Sequence, residues 1–494
     1  MLLNYAALSH LPPGVHRPRF DPAALGRGIV HLGCGNFHRA HQAVATQAAI
    51  GEEGTDGLRW GIVSAGMRRP DLARKLNRQD NLYTLLTREP AGTVTSVIGA
   101  IREAIFAGDD PAGLPARIAD PETAIVTLTV TASGYYQMAD GGLDPAADDI
   151  IADLRTARPR TALGILTRGL DIIHRKGGTP PVIISCDNVS NNGVTLRQAV
   201  LDFAALEGND ALAAWIGRNV QFPDTMVDRI APPLSDDDIE DARKNLGGYQ
   251  DKVPVSAEPW FRWIISRFDG PRPRWEAHPG TKFVGDVEVF ERAKLQMLNG
   301  AHMLLAYAGG LAGLNTVAEA AEDPTLGRIT AYFMRNEQTA GVDLAPEDLN
   351  DYAQQLMTRF RNPGIVHDVE RIGRNGSAKM AARIIRPMRE NIEAGKPVTC
   401  ARLLVACWIR WFALHEQEAL EISLTDPRAD TLRQICAEAR DDHKAQAEAF
   451  LAMEEVFGPP LPDHETQVAA IARILRRLTE EDVPALLSEI AAEL

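Results

Sequence analysis

A chain of 494 residues with 45% hydrophobic and 24% charged residues is too long for one simple core and ordinary in composition, so a soluble globular protein of two or three domains is expected. No apolar run reaches the roughly 18 residues that a membrane-spanning helix needs. The net charge of −14, from 52 basic and 66 acidic residues, opposes binding to nucleic acid or anionic membranes. Five scattered cysteines (Cys34, Cys186, Cys400, Cys407, Cys436) suggest reduced thiols rather than a disulfide framework. The N-terminus lacks a charged region followed by an apolar one, so no secretory signal is evident and a cytoplasmic location is expected.

After a proline-rich lead, Gly28-Ile-Val-His-Leu-Gly33 reads as a short buried strand. The loop Gly33-Cys34-Gly35-Asn36-Phe37-His38-Arg39 then opens a helix through Ile50. Further strands are expected at Arg59–Ser64, Thr93–Ile98, Thr123–Thr131 and Pro181–Cys186, and helices at Asp71–Gln79 and Arg160–Arg175. Thr123–Thr131 is the clearest strand, β-branched at most positions. Strands alternating with helices imply a mostly parallel sheet covered on both faces, a Rossmann-type α/β arrangement.

From Val287 onward helical periodicity takes over. Helices are expected at Val287–Leu311, Thr316–Asn336, Ala345–Arg359, Ala378–Gly395, Val398–Glu416, Asp430–Glu455, His464–Thr479 and Val483–Leu494. A boundary near residue 285, after the Pro/Gly-rich approach Asp269–Gly280, gives an α/β domain over 1–285 and a mostly α-helical domain over 286–494.

In the glycine loop, the first glycine permits a tight turn and the second lets backbone approach a pyrophosphate. His38 replaces the third glycine of the usual fingerprint, so on its residues alone the loop fits a structural turn as well as a phosphate site. An acidic side chain after the second strand would hold the ribose 2′-hydroxyl of NAD. Met67-Arg68-Arg69-Pro70-Asp71 stands there. Asp71 fits that role or caps the next helix, whereas Arg68 and Arg69 suit the 2′-phosphate of NADP. NAD is the expected cofactor and NADP the alternative. No metal is expected: no Cys-x2-Cys pair exists, and His38 and His41 have no further ligands nearby in sequence.

Ser185-Cys-Asp-Asn188 ends a buried strand, where ligands of open α/β sheets bind, or else Asp187 and Asn188 merely cap. Asn191-Asn192-Gly193 is turn chemistry and a helix start. Asp228-Arg229 reads alone as a local ion pair. The richest stretch is Lys294-Leu-Gln-Met-Leu-Asn299-Gly-Ala-His302, an amine, an amide and an imidazole in an apolar helix. At roughly 100° per residue, Asn299 lies about 140° and His302 about 80° round from Lys294, within one arc. Such groups either bond to the rest of the core or face a ligand. Burial disfavours the charged amine and suits it to general-base work near neutral pH. The amide and imidazole beside it are suited to holding a substrate oxygen.

This stretch resembles the Lys-x4-Asn-x2-His signature of the polyol-specific long-chain dehydrogenases, the mannitol 2-dehydrogenase family, which also includes arabinitol dehydrogenases and hexuronate reductases. The resemblance runs from about Arg27 to the C-terminal helices, with several motifs in the right order. Gly33 to Ala40 is similar to the family's cofactor loop, which implies that Gly33, Gly35, Asn36, Phe37 and Arg39 lie near the dinucleotide. Thr129, with Val130 and Thr131, matches the strand end expected near the nicotinamide; Ala132–Tyr135 stands where the family often continues with a glutamate. Ser185–Asn188 resembles the substrate loop and implies that Asn188, with Asn299, hydrogen-bonds the reacting oxygen. Phe222–Ile230 resembles a motif that implies site-lining roles for Val227 and Asp228. Phe360–Ser377 resembles a segment ending in Asp-Gly-Ser, here with Asn375 for the aspartate. It implies that Arg371 contacts substrate hydroxyls; read alone, Arg371 is a surface arginine paired with Glu370 or Asp368.

The resemblance therefore implies a metal-independent NAD(P)-dependent polyol dehydrogenase, interconverting a sugar alcohol and a ketose of the mannitol/fructose type and compatible with a monomer. Lys294 is the general base, Asn188 and Asn299 stabilise the alkoxide, and His302 orients the substrate. One alternative is a hexuronate reductase acting on fructuronate or tagaturonate, which needs a cation such as Arg371 or His367 for the carboxylate. The other is a non-catalytic dinucleotide-binding sensor, which has no need of Lys294, Asn299 and His302 together.

Overall fold

Eleven strands and two compact units, Met1–Glu288 and Val289–Leu494, organise the computed structural model, which describes residues 1–110, 112–364, 366–416 and 425–494. The strands, all in the first unit, are β1 (Ile29–Leu32), β2 (Ile62–Gly66), β3 (Tyr83–Glu89), β4 (Gly92–Ile98), β5 (Ile101–Phe106), β6 (Ile125–Leu128), β7 (Val182–Ser185), β8 (Thr225–Asp228), β9 (Val255–Ala257), β10 (Arg262–Ser266) and β11 (Thr281–Val284).

The central sheet runs β5-β2-β1-β6-β7, every pair parallel. β1 pairs with β2 on one side and β6 on the other, so the order reverses there. In open α/β sheets that reversal opens a crevice beyond the strand C-termini. Both faces are covered, which is why these strands read as continuous apolar runs. Val30, Leu32, Val126, Leu128 and Ile183 pack with Leu163, Leu166, Leu170 and Ile173 of helix Ala162–Lys176. Ile29, Ile62, Ile125 and Ile184 face the other way, against Ala43, Ala45, Ala49 and Ile50 of helix Gln42–Glu53. Removing one such Ile side chain costs about 2–5 kcal/mol.

Two smaller sheets add to the expected elements, in the orders β4-β3-β9 and β11-β10-β8. β3, β5 and β8 to β11 do not stand out in the sequence; β8, β9 and β11 are only three or four residues long. β3 pairs with β9 across some 170 positions, Leu85 opposite Val255.

The described residues of the second unit contain helices and no strand. Three expected continuous helices are each broken by a five-residue π-helical turn. Helix Glu288–Ala293 passes through Lys294–Leu298 into helix Asn299–Leu311. Helix Pro324–Tyr332 ends in Phe333–Glu337. Helix Gly376–Met380 passes through Ala381–Ile385 into Arg386–Glu393. Asn299–Leu311 is the buried centre of the unit: the Tyr307 hydroxyl donates to Gly373 O (2.8 Å), and Trp411 Nε1 donates to Tyr307 O (2.8 Å). Gly376 is obligatory beside it, since a Cβ there would sit 2.3 Å from the Tyr307 hydroxyl. Among the described residues no helix is long and apolar enough to cross a membrane.

Candidate active site

In the first unit a cleft of about 710 Å³ opens at the C-terminal ends of the central strands. Gly33, Cys34 and Gly35 line it after β1, Gly66 to Arg69 after β2, and Thr129 to Thr131 after β6. Gly33 has φ +112°, and a Cβ there would lie 2.2 Å from Thr129 O. Only glycine brings the two loops this close. Around Gly35 a Cβ would meet nothing within 4 Å, so its backbone stands open to a bound group.

The floor of the loop is polar and dry. Buried His31 bonds Thr127 Oγ1 (2.7 Å) through Nδ1, and Gly33 O and Thr129 Oγ1 (both 3.0 Å) through Nε2. Its ring stacks on His38 at 3.4 Å. Burial holds the His31 and His41 imidazoles down at about 3, which keeps them neutral.

The remaining expected cofactor residues are placed differently. Arg39 is 2% exposed and donates to Val253 O and to Asn36 Oδ1, while Asn36 Nδ2 donates to Pro232 O (2.9 Å). Phe37 stacks on His41 at 4.8 Å. These three anchor the loop from behind and do not line the cleft. Asp71 is exposed in the first turn of helix Asp71–Asn77 and is absent from the lining, whereas the exposed Arg68 and Arg69 belong to it. Arg160 and Tyr136 also line it. Sequence reading passed over both, for neither belongs to a motif.

Beyond β7, Asp187 staples two strand ends together. Its carboxylate accepts the N–H groups of Val130 (3.1 Å) and Thr131 (2.8 Å) and the Tyr135 hydroxyl (2.8 Å). Burial raises its pKa and those two N–H groups oppose the rise. They also stabilise Thr131 at φ 70°. Asn188 beside it is exposed. Asn192 starts helix Asn192–Leu206 and ties β7 to β8, bonding Asp187 O (3.0 Å) and both Thr225 N and O (2.9 Å).

Val227 and Asp228 are buried in β8. Asp228 Oδ2 accepts the Trp260 indole N–H (2.7 Å). The expected Asp228–Arg229 pairing gives way to another arrangement. The Arg229 guanidinium donates to Glu258 O and Ala40 O, because successive strand residues point to opposite faces.

In the second unit, Lys294 and His302 are each 9% exposed and Asn299 is half-buried. Their helix is not a uniform α-helix, which corrects the expected angles. The Asn299 N–H donates to Lys294 O, an i→i+5 bond that brings residues five apart much closer around the helix than the roughly 140° of regular periodicity. Lys294 and Asn299 therefore share a side more closely than regular periodicity predicts. π-turns of this kind recur at functional sites.

The His302 ring lies 4.7 Å from Phe360 and 5.8 Å from His367. Burial, then the charges of Arg359 and Arg371, lower His367 to about 4. Arg371 is exposed on helix Val369–Gly373. The pairing with Glu370 is not made, since Glu370 takes Arg374 at 2.7 Å, one helical turn on. Asn375 adopts φ 56°, a left-handed conformation that asparagine tolerates. Ile365, inside the same expected motif, lies outside the described residues. Among the described residues no cluster of three or more His, Cys, Asp or Glu is placed to hold a metal ion.

The chain matches two family models, the mannitol dehydrogenase Rossmann domain over residues 27–277 and the mannitol dehydrogenase C-terminal domain over residues 286–479. It is 36% identical to D-mannonate oxidoreductase of Escherichia coli, over 96% of this chain and 97% of that protein. It is 35% identical to mannitol 2-dehydrogenase of Cereibacter sphaeroides, over 97% of this chain and 99% of that protein. Its fold is similar to the solved structure of Pseudomonas fluorescens mannitol 2-dehydrogenase in ternary complex with NAD and D-mannitol. That match has a TM-score of 0.80 and 33% identity and covers 100% of both chains.

Proposed function

The chain belongs to the mannitol dehydrogenase family of oxidoreductases acting on CH–OH groups, and on that premise we propose that it interconverts a sugar alcohol and a ketose of the mannitol/fructose type, with NAD and without a metal. The observation that carries this reading is the buried π-turn, which sets the Lys294 amine and the Asn299 amide on one side of an apolar helix with His302 one turn beyond.

The cofactor fits the first unit on three grounds: the cleft at the strand ends, the close approach that only Gly33 permits, and the open backbone of Gly35. Gly33, Gly35 and Thr129 would hold the dinucleotide, with Asn36, Phe37 and Arg39 fixing the loop. When bound, it supplies the hydride acceptor for alcohol oxidation. Lys294, as the neutral amine, takes the hydroxyl proton. Asn299 donates an N–H to the oxygen as it gains charge, with Asn188 as a second donor; each well-aimed donor is worth on the order of 10²–10³ in rate. His302 orients the substrate, Arg371 and Asp228 serve distal hydroxyls, and Val227 contributes apolar wall. Full activity after exhaustive chelation is expected; loss of activity restored by zinc would refute the metal-free mechanism.

NAD is supported by the relative solved with it. Arg68 and Arg69 in the cleft lining, with Asp71 outside it, favour NADP as the second cofactor reading. Comparing kcat/KM for the two decides, and a clear NADP preference would overturn NAD.

One observation favours a second substrate reading. Arg371 is an exposed cation whose neighbour Glu370 is already paired with Arg374, which suits a substrate carboxylate. The D-mannonate oxidoreductase relative is as similar as the mannitol enzyme. A panel of mannitol, arabinitol and sorbitol with NAD, against mannonate with NAD and fructuronate with NADH, separates the two. Turnover confined to the acids would overturn the first reading, and turnover of any of them excludes a non-catalytic sensor. The five cysteines are all free and buried, which supports a reducing, cytoplasmic setting; a monomer is the proposed state.

A further inference from the structure

The π-turn carrying Lys294 has an internal brace. Gln296 sits inside the turn, between Lys294 and Asn299, and is 1% exposed. The hydrogen-bond network orients its amide: Nε2 donates to Gln338 O (2.9 Å) and Ala340 O (3.1 Å), and Oε1 accepts from Arg292 Nε (3.2 Å). All three bonds are made to partners in the same unit. The same guanidinium reaches Ala340 O (3.0 Å) and Glu390 Oε2 (2.5 Å) through NH2.

The partners belong to the other two π-turns or their immediate continuations. Gln338 follows Phe333–Glu337, and its own N–H closes an i→i+5 bond to Phe333 O (3.0 Å). Glu390 lies in helix Arg386–Glu393, which continues Ala381–Ile385. Glu337 O accepts from Asn391 Nδ2 (2.7 Å), and its carboxylate accepts the N–H groups of Cys400 and Ala401 (2.8 and 2.9 Å). The end of the first turn is also tight, since a Cβ on Gly300 would meet Gln338 Cδ at 3.2 Å and Arg383 O at 3.3 Å.

A π-turn carries one residue more than the α-helix would, and a sequence of ordinary helix formers has no local reason to keep it. Something outside the turn must hold that register. We infer that Gln296 is the positioning residue that does so, and that its bonds to Gln338 O, Ala340 O and Arg292 keep Lys294 and Asn299 in line. Without them the helix is free to relax toward α geometry, which turns one group away from the other by up to about 100°. This inference rests on the proposed role of Lys294 as base.

The test is Gln296→Met, which keeps the volume and removes the amide, measured on the full-length protein beside Lys294→Ala. Gln296→Met is expected to lower kcat for alcohol oxidation by about 10- to 100-fold, as small misplacements of a catalytic group do. The acid limb of the kcat–pH profile is expected to move up by roughly half a unit or more, as the amine loses its defined apolar seat. The Kd for NAD, read by tryptophan fluorescence, stays within about twofold, as expected when the glycine loop is untouched. Unchanged kcat and pH profile in Gln296→Met, with Lys294→Ala inactive, overturns the inference and leaves the base intact. Turnover in Lys294→Ala removes the base and the inference with it. If Gln296→Met does not fold, Gln296→Glu keeps the shape but removes both N–H donors to Gln338 O and Ala340 O; unchanged kcat and pH profile there overturn the inference.

Discussion

The glycine loop of the first unit and the π-turn of the second both keep an unusual backbone geometry, by different means. The loop is held by its own positive-φ backbone and by the neighbouring strand end of the same sheet. Gly33 at φ +112° leaves no room for a Cβ against Thr129 O, and His31 bonds both loops from beneath. The turn is held remotely, by Gln296 bonding to carbonyls beyond the next π-turn. Local devices leave a mark in the sequence, because the residue type is dictated by its own backbone. Remote devices leave almost none.

Both units bury titratable groups that burial moves from their ordinary values. The first unit buries imidazoles that stay neutral, His31 and His41, both held at about 3 by burial. The second buries a carboxylic acid, Glu337, pushed up to about 7 by burial against the opposing pull of the Cys400 and Ala401 N–H groups.

The largest expected effect is on chemistry alone. Lys294→Ala should lower kcat by about 10²–10⁴ while NAD still binds; steady-state kinetics with a fluorescence titration checks both, and near-normal turnover would falsify the base assignment. Next comes the loop. Gly33→Ala puts a Cβ against Thr129 O and forces a non-glycine residue to positive φ, at a cost of about 1–3 kcal/mol. The Kd for NAD should then rise tenfold or more, with residual kcat at saturation. Binding as tight as that of the native chain would mean that the close approach of these loops is not what seats the cofactor.

A smaller effect separates the units by pH. A depressed histidine contributes stability that is complete above its unfolded pKa of about 6.5 and is lost as pH falls toward about 3. A raised glutamate does the reverse: its contribution is complete below about 4.5 and is lost as pH rises through about 7. Hydrogen exchange corrected for intrinsic rates should therefore show peptides around His31 and His41 losing protection from about pH 6.5 downward. Peptides around Glu337 should lose on the order of 1–3 kcal/mol between about pH 4.5 and 7. Glu337→Gln should abolish the second-unit slope and leave the first-unit slope in place. A slope that survives Glu337→Gln assigns the titration to another group.

The central strands were legible because each is buried on both faces, so Ile29–Leu32, Ile125–Leu128 and Val182–Ser185 are mostly apolar, with one polar residue each (His31, Thr127 and Ser185). Lys294, Asn299 and His302 were legible as polar groups where only apolar ones belong. Arg39 was not: its place in the motif pointed toward the dinucleotide, whereas its guanidinium is buried against Val253 O and Asn36. Nor were β8 to β11, of which β9 pairs with β3 some 170 positions away. The angles within Lys294–His302 were misjudged for the same reason, since period counting assumes an uninterrupted α-helix.

By itself, then, the sequence determined the kind of elements, the glycine loop and the identity of the groups available for chemistry. Those follow from burial, backbone conformation and residue type, which constrain the kind of side chain each position carries. Only the tertiary structure decided which side those groups share. An i→i+5 turn in place of an i→i+4 one is kept by partners that folding brings from other helices, Gln338 O, Ala340 O and Arg292 among them, and no local pattern encodes where those partners come to lie.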